Sequence, residues 1–170
     1  FSPTAMPQED EFSASHWPEL RRRMEASGAD AVVAHVLEFD DADERRQLFG
    51  LCIQRFSNED WEGKDLDQPL AVARAAVDHF RGLAEGEPDE EVARQMLMAA
   101  NVMGYNLAAD LAPCWPDDAV PRRRRHFEAG LAAAEDCLDW REELGSPAWA
   151  FSIAWWAKGI HQSGLGDTAV

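Results

Sequence analysis

Apolar residues recur along this chain at three- and four-residue intervals, the period of a helix with one buried stripe. Leu20 and Met24 precede Gly28, a helix stop, and Val32, Val33, Val36, Leu37 and Phe39 follow it, so two short helices starting at Trp17-Pro18 fit this stretch. Asp40, Asp41 and Asp43 then supply N-cap and first-turn negative charge to a helix bearing Leu48, Phe49, Cys52, Ile53 and Phe56. Leu70, Ala73, Val77 and Phe80 form the next stripe, which ends at the Gly82 to Gly86 break. A helix entered through Pro88-Asp89 carries Val92, Met96, Ala100, Met103, Leu107 and Leu111 before Pro113 and Pro116. Past Pro121, Phe127, Leu131, Ala134 and Leu138 keep the rhythm as far as Gly145, placed as a C′ glycine. Ser146-Pro147 opens the last helix, with Trp149, Ile153, Trp156 and Ile160 on one face. No stretch alternates with period two, which predicts an all-α fold of about three stacked antiparallel helix pairs.

Between the stripes lie long acidic loops around Trp61 and Trp115, leading to Pro69 and Pro121. Residues 1–15 hold Pro3, Pro7, Gln8, Glu9, Asp10 and Glu11 with few apolar side chains, too few to offset the entropy of ordering. A mobile acidic arm is predicted there, and a single helical domain over 16–170.

The stripes repeat. Gly50, Gly104 and Gly159 sit mid-helix 54 and 55 residues apart. Glycine costs a helix about 1 kcal/mol relative to alanine, so close approach of a second helix is expected at each. Val72 and Phe127, Ala76 and Leu131, and Leu83 and Leu138 pair at the same offset, giving units of about 16–57, 67–112 and 121–166. Trp155, Gly159 and Gly166-Asp167 resemble the first helix of a tetratricopeptide repeat. Phe127-Glu128-Ala129-Gly130-Leu131 through Trp140 to Gly145 is similar to the second helix of the longer repeat found in kinesin light chains and bacterial regulators. The resemblance is clearest over residues 121–170. It implies ligand binding on the inner face of the first helices, at positions that here are Glu44, Gln47, Leu51 and Gln54, then Met98, Asn101, Tyr105 and Ala108, then Ile153, Trp156, Ile160 and Ser163. Asn101 and Tyr105 also stand out as polar residues in an apolar helix, fit either for ligand contact or for a buried interhelical hydrogen bond. A stack ending on Trp149, Ile153, Trp155, Trp156 and Ile160 lacks the polar cap that solenoids need. The expectation is a truncated chain, a last helix folded back into a bundle, or a homodimer or other partner covering that face.

Charge narrows the partners. The formal net charge of −16 opposes a phosphate backbone or an anionic bilayer and favours a basic protein or peptide. No apolar run is long enough to span a bilayer, and residues 1–15 lack a signal-peptide pattern, although the first residue is Phe1 and a removed leader is compatible with that. Cys52, Cys114 and Cys137 are odd in number and show no C-x-x-C spacing, which speaks for a reducing cytoplasm rather than a disulfide framework or zinc site. Lysine occurs only at Lys64 and Lys158 while arginine and alanine abound, the bias of a GC-rich bacterial coding sequence.

Candidate chemistry is sparse. Asp40-Asp41-Ala42-Asp43-Glu44 looks like the acidic magnesium motif of helical isoprenoid synthases, but helix capping explains the same residues. His16, His35, His79, His126 and His161 include no pair at metal-ligand spacing. Arg122 to Arg125 would seek anions, with Asp117, Asp118 and Glu128 as internal candidates and an acidic or phosphorylated partner as the external one. The expected function is therefore a non-catalytic protein- or peptide-binding module favouring basic partners, with no cofactor and no metal. The alternatives are a small-molecule-binding regulatory or enzymatic helical domain, its pocket around Asn101, Tyr105 and Trp156, and an acidic inhibitor or immunity-type protein.

Overall fold

The computed structural model describes residues 11–114 and 120–166, and every regular element among them is helical. The order is α1 (Glu11–Ser27), α2 (Ala29–Leu37), α3 (Ala42–Asn58), α4 (Asp67–Gly86), α5 (Glu90–Asp110), α6 (Arg124–Glu143) and α7 (Ala148–Gly164). Each helix packs on its neighbour in sequence, and the alternate pairs α1/α3, α2/α4, α3/α5 and α5/α7 pack as well. The all-α fold of packed helix pairs follows from this pattern.

Local chemistry sets the boundaries. Asp41 Oδ1 accepts from the Glu44 N–H at 2.8 Å and caps α3, while Asp89 accepts from Glu91 and Val92 at 3.0 Å each and caps α5. At the end of α6, Gly145 takes φ 61°. Its N–H donates to Glu142 O, and the Ser146 N–H donates to Arg141 O at 2.9 Å, the paired bonds of a Schellman C-cap. Two boundaries differ from the sequence pattern. Helix α1 starts at Glu11, six residues before Trp17, and runs through Pro18, so Glu11–Ser15 are not part of an arm. Within the helix Phe12 packs tilted against His16 with centroids 4.5 Å apart, and from α3 Arg55 donates to buried Ser13 at 2.9 Å, which holds that first turn. Residues 1–10 of the predicted arm, and Trp115 with Asp117 and Asp118 in the second loop, lie outside the described residues.

Two kinds of packing hold the array. Helices α1 to α5 enclose a bulky core in which Leu20, Leu48, Phe49, Phe56 and Phe80 have no exposed surface. Trp61 anchors its loop into this core and donates its indole N–H to Phe56 O at 3.1 Å. At the other end α7 docks through small residues. Its buried positions are Ala150, Ala154, Ala157 and His161 rather than the predicted Trp149, Ile153, Trp156 and Ile160 stripe. His161 is fully buried and its Nε2–H donates to Ala108 O at 2.8 Å, while Nδ1 has no partner. The imidazole fills a notch over Gly130 of α6, where an added Cβ would overlap the ring. Glycine is needed at Gly130 and at Gly164 under Phe127, while at Gly104 a Cβ would sit tightly, 3.3 Å from Cys137 Sγ. At Gly50 and Gly159 nothing lies within 4 Å, so the close approach expected at those two is not there.

Burial lowers the pKa of His161, helped by the charge of Arg122 and opposed by the hydrogen bond to Ala108. The unfolded chain, with a histidine pKa of about 6.5, binds the proton first as pH falls. Stability that is complete above that value is therefore lost as pH drops through it, by at most ~1.4 kcal/mol per pH unit for one group. The melting temperature is expected to fall more between pH 7.5 and 5.5 in the wild type than in His161→Gln; equal falls would mean that His161 takes no part.

Candidate functional site

Helix α5 packs on α3 and on α7, and apart from Leu37 of α2 the exposed large apolar side chains among the described residues lie on α5 and α7. On α5, Met98 and Val102 are one turn apart and 41% and 49% exposed. On α7, Trp149 and Trp156 are 66% and 41% exposed, with Ile153 and Ile160 half-buried between them. Between α3 and α5 runs a groove of about 460 Å³. Asp43, Arg46 and Gly50 form one wall, Gln95, Val102 and Asn106 the other. Phe80, Met96 and Met103 close its floor. Gly50 thus leaves room for the groove rather than for a neighbouring helix.

The predicted site residues separate into three groups. Glu44, Gln47 and Gln54 sit on α3 beside the groove without lining it; Gln47 donates to Asp43 Oδ2 at 2.9 Å. Asn101 and Tyr105 point inward, to Arg141. Asn101 is buried, its Oδ1 accepts from Arg141 Nε at 3.1 Å, and the guanidinium lies 5.0 Å from the Tyr105 ring centre. Arg141 also donates to Ala150 O, so this cluster ties α5, α6 and the start of α7 together. Burial raises the pKa of the Tyr105 phenol above its ordinary value. Trp156, with Met98, remains at the surface. Val102, Asn106 and Arg46 were not singled out by sequence, and Asp43 was read there only as a capping or magnesium-motif residue; the signal for Val102 was an aliphatic residue one turn from Met98, off the buried stripe.

Elsewhere the reactive groups are spent on structure. Asp43 accepts from Arg46 and Gln47 along its own helix, which lowers its pKa. Arg122 donates to Asp110 O at 2.8 Å and to Leu111 O and Ala112 O, closing the C-terminus of α5. Arg124 pairs with Glu128, while Arg125 and His126 both hold Asp67 of α4. His126 Nδ1 accepts from the Arg123 N–H, which leaves Nε2–H to donate to Asp67 at 2.9 Å. Arg125 first and His126 second hold the Asp67 carboxyl far below its ordinary pKa. Burial pushes the Cys137 thiol up to about 12 and raises that of Cys52 as well, so neither offers a thiolate at neutral pH. Among the described residues no cluster of ligands suits a metal ion, and no helix is long and apolar enough to cross a membrane.

No family model, no curated protein and no solved structure matches this chain. The functional reading rests on its own residues.

Proposed function

We propose that the chain is a non-catalytic protein-binding module that takes a peptide segment along the outer faces of α3, α5 and α7. The observation that carries this is the exposure of Met98 and Val102, which line the α3/α5 groove, together with that of Trp149 and Trp156 on α7, the helix packed beside α5. Large apolar side chains displayed together are the anchors from which interfaces draw their affinity. The small-molecule alternative is weaker, because Asn101 and Tyr105 face Arg141 rather than open space. The net charge of −16 adds long-range attraction for a basic partner, whose specificity would come from contacts in the groove. The tetratricopeptide resemblance and a cytoplasmic, bacterial setting fit this reading.

Selection of a displayed peptide library on the protein tests it. Recovered peptides are expected to lose affinity at least tenfold on Val102→Glu, an exposed position whose replacement leaves the core intact. Undiminished binding to Val102→Glu would place the site elsewhere.

A further inference from the structure

The side of α7 that carries Trp155, Gly159 and Gln162, distinct by helical position from its Trp149, Ile153, Trp156 and Ile160 stripe, has a counterpart within the molecule. Ala100, Met103 and Leu107 pack α5 back onto the bulky core, and 54 residues later Ala154, Ala157 and His161 pack α7 back onto α5 and α6. One residue further round α5 stand Asn101 and Ala108, which receive the following pair: Asn101 meets Arg141 and Cys137 of α6, and Ala108 meets His161 of α7. At the same offset on α7 are Trp155 and Gln162. Trp155 is 57% exposed, and beside it Gly159 has nothing within 4 Å of a Cβ position. The α7 face therefore repeats the place on α5 that accepts a helix, and none of the described helices lies on it.

The surroundings select the occupant. Helix α7 contains no carboxylate, but Glu128, Glu135 and Glu142 run along α6 at seven-residue spacing on the side that borders it. Glu135 marks that border through its 3.0 Å pair with Lys158, whose ammonium lies 5.1 Å from the Trp155 ring centre; Glu128 is bonded to Arg124. Within the array, the equivalent contact between alternate helices is already an acid met by a base: Asp67 of α4 holds Arg125 of α6 at 2.7 Å. We propose that the Trp155 and Gly159 side of α7 docks an amphipathic helix from a partner protein. That helix lays small residues over Gly159 and a row of basic side chains against the glutamates of α6. The proposal does not depend on the α3/α5 groove.

The probe is a synthetic peptide of residues 124–143, the helix that covers the equivalent face of α5. It carries Cys137→Ala to prevent oxidation, and Ala132→Lys and Asp136→Lys to extend the basic row begun by Arg125, since Ala132 and Asp136 lie against α4 in the array. A control peptide has Ala132→Glu and keeps Asp136. Titrated against the full chain by calorimetry, the lysine peptide is expected to bind saturably and at least tenfold more tightly than the control. Gly159→Leu should abolish that binding while folding normally, because its side chain enters open space, and Val102→Glu should leave it unchanged. No saturable binding, equal binding of both peptides, or binding indifferent to Gly159→Leu would overturn the proposal. So would sedimentation showing that the chain is a dimer which Gly159→Leu dissociates, since the occupant would then be a second copy.

Discussion

Gly130→Ala is expected to destabilise the protein by roughly 1–3 kcal/mol, the usual range for overpacking. The same substitution in an exposed helix would stabilise by up to ~1 kcal/mol, so packing must reverse the sign of the propensity effect. It does so because the added Cβ would overlap the His161 imidazole, which has nowhere to go: its Nε2–H is committed to Ala108 O and Phe127 stands 6.1 Å away, edge to face. The buried positions through which α7 docks are alanines and this histidine, so relieving the clash means lifting the helix. Urea unfolding of Gly130→Ala beside Gly159→Ala measures the contrast. The first should lower the midpoint and the second should raise it slightly. If Gly130→Ala proved neutral, the notch would not be the basis of α7 docking.

Phe56→Ala should cost more, about 3–5 kcal/mol, the range for emptying an aromatic site in a packed core. Phe56 has no exposed surface and its ring lies 4.9 Å from Trp17 of α1 and 5.7 Å from Trp61 of the α3/α4 loop. Removing it leaves both indoles facing a cavity, while the Trp61 N–H bond to the residue 56 carbonyl remains possible. For a domain of this size the loss corresponds to a fall of roughly 6–20 °C in melting temperature. Tryptophan emission should shift to the red as Trp17 and Trp61 gain water. A loss below about 1 kcal/mol would mean that this end of the core is not packed as described.

The sequence made the helices legible wherever a local signal coincided with a core position. Asp41, Asp89 and Gly145 are caps whose chemistry needs no tertiary information, and each acts where the pattern put it. The stripes of α3, α4 and α5 are mostly long aliphatic and aromatic side chains, so periodicity and burial agreed there except at Val92, which is 37% exposed at the start of α5. At α7 they parted. Bulk pointed to Trp149, Ile153, Trp156 and Ile160, whereas the docking face is alanine, because close helix approach requires small residues and leaves the large ones outside. The glycines misled for the same reason: sequence spacing drew attention to Gly50 and Gly159, while the required ones include Gly130 and Gly164, whose need arises from His161 and Phe127 on other helices. Asn101 was visible as an oddity in an apolar helix, but its partner Arg141 is 40 residues away, and no local pattern links the two. The start of α1 was likewise hidden, since Ser13 is held by Arg55 from α3.

The most direct test of the binding account is amide-shift mapping with a library-selected peptide on the isotopically labelled chain. Perturbations concentrated at Met98 to Asn106 on α5, at Trp149 to Ile160 on α7 and at Asp43 to Gly50 on α3 are the result this account requires. Perturbations confined to α1, α2 and α4, with those three segments silent, would contradict it.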